Sequence, residues 1–476
     1  MRILFICPPN YRFRQVSFHD FGLGPAYLAA VLQNQHDVAF YEADAPTEEE
    51  TRNVQHDYTS YEFLGRSHTR YLEGLQDESH FIWKEVKEVI RKYAPDVIGL
   101  SSMTPSFPSA LVVARLAREV SDATIIFGGV HATILPEDAI KDPNVDYVVR
   151  GEGEETIVEL IQCLEKKGDP GQVKGITYRK AGELVHTPDR PLISNLDTIP
   201  FPRRDSLLFP ERFSKRNYVN MLAGRGCPHN CHFCANPVLW KRKYRLRSAQ
   251  NVLEELRILC RDYGENILFW DDNLLVSPKM LLEFCSAIKS EIPDLLWRCQ
   301  SRVDTISPER LTAMKESGCW DVKLGLESGS NRILSYINKD LDTRRIMGCA
   351  EMIQKSGLQF SVNFMFGFPE ETWEDLQATL EMVKQIPANS IAVSKFIPLP
   401  GTKLFQDVIS LGLIPDAQPR YEYFDLYSTH YHYSKHISRE KFQEFYAEIH
   451  RVVEEKNRRT RIGAPKRASG NVPPPN

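Results

Sequence analysis

The sequence predicts an α/β chain in two parts: a doubly wound parallel sheet, then a partial (β/α)6 barrel that ends in a C-terminal helical extension. Three observations carry this prediction. Short apolar strands alternate with amphipathic helices over residues 1–165. The same alternation resumes, on a longer beat, over residues 216–405. Three of the ten cysteines lie in one loop directly after the first strand of that second series.

In the first part, residues 2–7 form a strand-length apolar run, followed by a Pro-rich loop and a helix near residues 27–32. Strands follow at 37–41, at 96–101 (entered through Pro95), at 124–127 and at 147–149. Helices are expected at 110–120 and 156–164, the latter with Ile157, Leu160, Ile161 and Leu164 at helical spacing. This βαβα order predicts a Rossmann-like sheet that binds ligands at the carboxyl ends of its strands. A polar, His- and Tyr-rich stretch at 46–82 is too long for a plain connection and is expected to be a functional insertion. Residues 166–215 are expected to be a linker: a hairpin, 175–178 with 184–187, then an extended run marked by Pro188, Pro191, Pro200 and Pro202.

The second part offers strands at 218–223, 267–270, 296–300, 322–326, 360–366 and 391–397. Ser248, Ser277-Pro278, Ser307-Pro308 and Asp342 read as caps of the helices between them. Six βα units make an open relative of the eight-unit barrel, with chemistry at the carboxyl ends of the strands. Residues 406–462 form the extension. Its aromatic segment, with Tyr421, Tyr423, Phe424, His430, Tyr431, His432 and Tyr433, lines the barrel mouth or packs as a lid. The Pro-rich tail at 463–476 is expected to be disordered.

Lys and Arg number 59 against 63 Asp and Glu, a net charge of −4, which gives no general attraction to nucleic acid or anionic membrane. The apolar runs stop at strand length, so no transmembrane segment is expected. The first residues lack a secretory leader pattern, and a cytoplasmic location is the expectation. Cysteines there are reduced thiols or metal ligands. Seven stand alone in apolar patterns (Cys7, Cys163, Cys260, Cys285, Cys299, Cys319 and Cys349) and read as buried structural thiols.

The other three are spaced C-x3-C-x2-C in Gly224-Arg-Gly-Cys-Pro-His-Asn-Cys-His-Phe-Cys: Cys227, Cys231 and Cys234. Thiolates hold iron–sulfur clusters, and three of them leave one iron of a four-iron cubane open to another ligand. The alternative is a zinc knuckle that recruits His229 or His232, although neither follows a familiar zinc-finger spacing.

With the aromatic Phe233 just before the last cysteine, this loop resembles the signature of the radical S-adenosylmethionine (SAM) enzymes. The resemblance implies a [4Fe–4S] cluster on the three cysteines and SAM chelated to the open iron. It also implies a 5′-deoxyadenosyl radical and an external flavodoxin- or ferredoxin-like electron donor. Carried onto this chain, it places Phe233 beside SAM. Asp271 and Asp272 would contact its amino group, unless one of them caps the next turn. Arg302 would meet its carboxylate, Glu327 and Ser328 its ribose, and Gly367 would lie next to its adenine. Phe368 and Met365 nearby read equally as core.

Four loops of the first part resemble the cobalamin-binding domain of one branch of these enzymes: Pro8-Pro-Asn, Ser101-Ser-Met-Thr, Phe127-Gly-Gly-Val-His and Gly151-Glu-Gly-Glu. The resemblance implies cobalamin contacts from Pro9, Asn10, Ser102, Met103, Thr104, Gly128, Gly129, His131, Glu152 and Gly153. A D-x-H-x-x-G cobalt-ligand motif is absent, and the reversed His19-Asp-Phe-Gly does not replace it. The lower cobalt ligand is left open among Met103, Thr104 and His131, and His131 reads alternatively as a loop histidine bonded to backbone.

The branch implies methylation of an unactivated carbon of a small molecule, lipid or natural product, with one SAM giving the radical and another methylating cobalamin, so that methylcobalamin is the methyl donor. The alternative within the branch is cyclisation, oxidation or rearrangement without methyl transfer. A third reading, a methylthio-transferring RNA modifier or a bare cluster carrier, is disfavoured by the lack of further clustered cysteines and by the acidic balance.

Overall fold

In the first sheet, strand interiors are apolar on both faces, as helices packed above and below a parallel sheet require; Ile3, Leu4 and Ile6 are all fully buried. The computed structural model describes residues 1–16, 21–52, 54, 60–414 and 419–460. His19 and the 463–476 tail lie outside the described residues. Strands β1 (Arg2–Cys7), β2 (Asp37–Glu42), β3 (Val97–Ser101), β4 (Thr124–Gly128) and β5 (Tyr147–Val149) run parallel in the order β2-β1-β3-β4-β5. The order reverses between β1 and β3, so the loops after these two strands open a crevice at their carboxyl ends.

The hairpin expected in the linker belongs instead to this sheet. β6 (Ile176–Lys180) and β7 (Glu183–His186) add antiparallel to β5. The reason is the exposed edge that β5 would otherwise present. Arg150 fastens the addition by donating to the carbonyls of Ile176 (2.6 Å) and Thr187 (2.5 Å). The described residues of the 46–82 stretch are largely helical. Its main helix, Tyr61–Gln76, is capped by Ser60, whose hydroxyl accepts from Phe63 N at 3.2 Å. Phe63 and Leu64 on this helix join the core of the second domain, so the insertion straps the two domains together.

In the second part, the one short barrel strand is the first, β8 (Asn220–Met221). The chain then turns off into β9 (Gly224–Arg225), which pairs antiparallel with β10 (Arg245–Leu246). The cause is Asp271, whose carboxylate takes the amides of Ala223 (3.0 Å) and Gly224 (2.6 Å) that a longer strand would have used. β11 (Asn266–Phe269), β12 (Leu296–Ser301), β13 (Cys319–Glu327), β14 (Gln359–Phe366) and β15 (Ser390–Lys395) complete an all-parallel sheet in the order β15-β14-β13-β12-β11-β8. Ser248, Ser277, Ser307 and Asp342 each cap the following helix by accepting a backbone amide at 2.9–3.4 Å.

Alternation divides the two faces of the curved sheet. On β14, Phe360, Val362, Phe364 and Phe366 are buried against the outer helices. Ser361, Asn363 and Met365, half-buried, face the concave side. The last helix, Arg439–Thr460, closes the outer layer with Phe442, Phe445 and Tyr446 around Phe366. The aromatic segment before it is a packed cover, with Tyr423, Phe424, Tyr431 and Tyr433 buried. Of the solitary cysteines, Cys285, Cys299, Cys319 and Cys349 are buried and Cys7, Cys163 and Cys260 half-buried. Among the described residues no helix is long and apolar enough to cross a membrane.

Glycine is demanded just after β4. Gly129 has φ +94°, and a Cβ there would stand 2.7 Å from the Ser102 carbonyl oxygen. Gly129→Ala is expected to cost about 2 kcal/mol, from strain plus displacement of the loop after β3. A lowered urea midpoint with an unchanged slope checks it.

Candidate active site

The cysteine loop is a flap between β9 and β10. Its neck is tight: Gly226 has φ +90°, and a Cβ there would come within 2.1 Å of the Lys243 carbonyl oxygen. Cys227 and Cys231 are buried and Cys234 half-buried. Burial raises the Cys227 thiol and pushes Cys234 up to about 11. Three thiolates therefore need positive charge beside them. A metal cluster supplies it, and one protein cation already points there: Arg302, buried, brings Nη1 to 3.5 Å from Cys231 Sγ. Among the described residues no three His, Cys, Asp or Glu side chains gather tightly enough to hold a single metal ion. A cubane makes no such demand, since each thiolate binds its own iron. The loop thus fits the cluster in donor chemistry and burial.

The strand-end residues divide by what they already hold. Asp271 is committed to the two amides that shape the flap, and burial pushes its pKa up to about 7. Asp272 faces Gly226, Asn236 and Trp240 of the flap, and its side chain has open surface. Arg302 is gripped by Asp304 at 3.0 and 3.2 Å and by the Lys339 carbonyl at 2.7 Å, which aims it at the thiols. Glu327 ends β13 just past a register shift with φ +67°, a strained geometry for glutamate. Its carboxylate accepts from Lys339 Nζ at 2.6 Å. Phe233 lies between the same ammonium (5.9 Å from its ring centre) and Phe368 (6.4 Å between rings).

Two of the expected SAM contacts already have close protein neighbours. Ser328 is fully buried, with its hydroxyl on Thr379 (3.2 Å) and on the Ser330 amide (3.1 Å). The close neighbour that Gly367 admits is the Phe442 ring of the last helix, 2.8 Å from where a Cβ would stand. Phe368 is plain core.

The first-domain loops converge on the crevice at the carboxyl end of their sheet. Pro9 and Asn10 are buried, with the Asn10 amide on Asp44 at 2.7 Å. The Ser102 amide donates to the Gly128 carbonyl at 3.0 Å, holding the two loops together. Met103 projects from them with 51% of its surface exposed. His131 differs. It is fully buried, stacked on Phe107 (3.9 Å) with Tyr421 on edge (4.7 Å), and its Nδ1 is 3.3 Å from Thr104 Oγ1. Burial lowers its pKa to about 4. That aromatic box encloses both His131 and Thr104, so Met103 is the candidate of the three that is open to a ligand. Gly153 opens the helix Gly153–Glu165.

Glu152 joins the two halves. It accepts from Arg225 Nη1, Arg245 Nη1 and the Ile193 amide, each at 2.7 Å, while Glu154 takes the second Arg225 nitrogen. Arg225 and Arg245 flank the cysteine flap on β9 and β10, so the loop after β5 grips the flap at its base. Sequence reasoning missed Arg225, Arg245 and Lys339, because nothing local to an arginine beside a cysteine motif names a partner 73 or 93 positions away.

Comparison with known proteins agrees with this layout. Residues 221–383 match the radical SAM superfamily and residues 15–161 the B12-binding domain. The uncharacterized methyltransferase PH0819 of Pyrococcus horikoshii is 32% identical over 422 residues, covering 87% of this chain and 84% of that protein. The anaerobic magnesium-protoporphyrin IX monomethyl ester cyclase of Rubrivivax gelatinosus is 28% identical, covering 73% and 67%. The fold is shared with the radical S-adenosylmethionine methyltransferase TsrM of Kitasatospora setae, solved with cobalamin and a [4Fe–4S] cluster (TM-score 0.67, 15% identity, covering 87% of this chain and 78% of that one). Two cofactor domains joined at the base of one cysteine flap, matched over most of the chain, identify it as a member of the B12-binding radical SAM enzyme family, with a [4Fe–4S] cluster, SAM and cobalamin as its cofactors.

Proposed function

We propose that the protein methylates an unactivated carbon of a small molecule, lipid or natural product, in the cytoplasm, with electrons from a flavodoxin- or ferredoxin-like donor. The observation that carries this reading is the Glu152 junction, which holds the corrinoid-side loops against the base of the cluster flap. A methyl donor and a hydrogen-abstracting centre must both reach one carbon, and a buried ionic junction fixes their spacing. The relative PH0819, named a methyltransferase, supports it.

When bound, the cluster and SAM supply a radical that abstracts hydrogen, and cobalamin supplies the methyl group. The chain's own part is to hold and exclude. Cys227, Cys231 and Cys234 would hold the cluster, with Arg302 beside Cys231 offsetting thiolate charge. Phe233, Asp272 and Glu327 border the SAM position. Pro9, Asn10, Ser102, Met103, Gly128, Gly129 and Gly153 form the corrin cradle. The packed cover at Tyr423, Phe424, Tyr431 and Tyr433 keeps water from the mouth.

Reconstituted anaerobically with all three cofactors and given SAM and a reductant but no substrate, the enzyme is expected to form S-adenosylhomocysteine alongside 5′-deoxyadenosine. 5′-Deoxyadenosine alone would instead favour the cyclase reading that the Rubrivivax relative represents.

A further inference from the structure

Arg14 is among the largest fully buried side chains of the molecule, in a place that the cofactor sites do not explain. It lies on the short helix Tyr11–Arg14, just after β1. Tyr71 and Tyr427 cover it, their ring centres 4.4 and 5.5 Å from the guanidinium carbon. Around it stand His68 of the insertion helix, Asp425 of the aromatic cover and Lys395 at the carboxyl end of β15, all buried. Burial, and after it the charges of Arg14 and Lys395, depress protonation of His68.

Donors outnumber acceptors in this cluster. Arg14 Nε donates to Asn10 Oδ1 at 3.2 Å and Nη1 reaches His68 Nδ1 at 3.0 Å. A guanidinium only donates, so His68 Nδ1 accepts and the imidazole proton sits on Nε2. That Nε2 has no hydrogen-bond partner, nor has Arg14 Nη2, which stands 3.4 Å from Asp425 Oδ2. Among the described residues the Lys395 amine has neither a hydrogen bond nor an ion pair; burial lowers its pKa to about 7, with Asp425 favouring its charge and Arg14 and Arg439 opposing it. Asp425 thus faces a buried guanidinium and a buried amine, and Asp44 also acts on Arg14. Yet among the described residues Arg14 Nη2, His68 Nε2–H and the Lys395 amine have no hydrogen-bond acceptor, an arrangement that is costly unless a further acceptor joins it.

The place is apt for a reactant. Lys395 is followed by Phe396, which packs on Phe368 (5.1 Å between rings), itself against Phe233 of the cysteine loop. Asn10, which anchors Arg14, belongs to the corrin-side loop. The cluster therefore lies where the carboxyl ends of the two sheets meet.

We infer that Arg14, His68 and Lys395 form a binding site for an oxyanion, the carboxylate or phosphate of the molecule on which the enzyme acts. Only the ownership of that anion rests on the function proposed above; the site's chemistry does not.

The test is calorimetric titration of inorganic phosphate into the reconstituted full-length protein. Wild type is expected to bind phosphate saturably. Lys395→Met, which removes an unpaired amine and keeps the side-chain volume, is expected to weaken binding about tenfold or more, as loss of a charge-assisted hydrogen bond does. Its thermal midpoint should hold or rise, because a buried amine with no hydrogen-bond partner has gone. Lys403→Met, an exposed lysine on the neighbouring helix, should bind as wild type. No saturable binding in wild type, or equal affinity in Lys395→Met, overturns the site. Loading with cobalamin and with cobinamide, which lacks the nucleotide phosphodiester, separates the two owners of such a group. Phosphate binding lost only with cobalamin would overturn assignment to the substrate. Since no turnover is measured, absence of methyl transfer leaves the outcome readable.

Discussion

Alanine at Cys227, Cys231 or Cys234 is expected to reduce reductive cleavage of SAM to the background of cluster-free protein while the chain stays folded. The flap that carries these thiols is shaped by bonds that do not involve them. Asp271 fixes its entry, β9 pairs with β10 across its neck, and Glu152 grips both strands. Removing one thiol therefore removes a ligand and not the loop. Cys231→Ala should be the most informative of the three, because it removes the thiol that the Arg302 guanidinium contacts at 3.5 Å. Iron content, the visible absorption of the cluster and 5′-deoxyadenosine yield read the loss, and circular dichroism reads the retained fold.

Glu152→Ala is expected to lower stability by about 3–5 kcal/mol, as removal of one member of a buried ion pair does. The carboxylate is nearly inaccessible and serves two arginines and a backbone amide. Without it, Arg245 keeps only the Ile193 carbonyl, and its Nε and Nη2 already lack partners. Arg225 keeps Glu154. Urea unfolding gives the magnitude. Corrinoid retention should fall in the same variant, since the loop after β5 loses its anchor, whereas Glu165→Ala at the far end of the same helix should retain it.

How much of this was legible depended on the range of the signal. Periodicity is local, so most of the parallel strands agree to within a residue, and the helix caps Ser248, Ser277, Ser307 and Asp342 stand where the sequence places them. The cysteine spacing is local too. β8 came out shorter than its apolar run because a carboxylate nearly fifty positions later takes two of its amides. The hairpin reads as linker in the sequence because nothing local says which sheet edge it covers. Ser328 and Gly367 sit in loops of the right kind, yet one serves Thr379 and the other a phenylalanine of the last helix. His131 was visible as a residue but not its aromatic box, which draws Tyr421 from the far end of the chain. Ion pairs such as Glu327 with Lys339, or Glu152 with Arg225 and Arg245, leave no trace in composition or spacing.

Two cofactors on one chain imply a single stoichiometry. Protein purified without oxygen and reconstituted with iron, sulfide and cobalamin should carry about four irons and one tightly held corrinoid per chain, with Cys231→Ala losing the iron and keeping the corrinoid. Iron without retained corrinoid, or an iron content that survives the loss of Cys231, would contradict it.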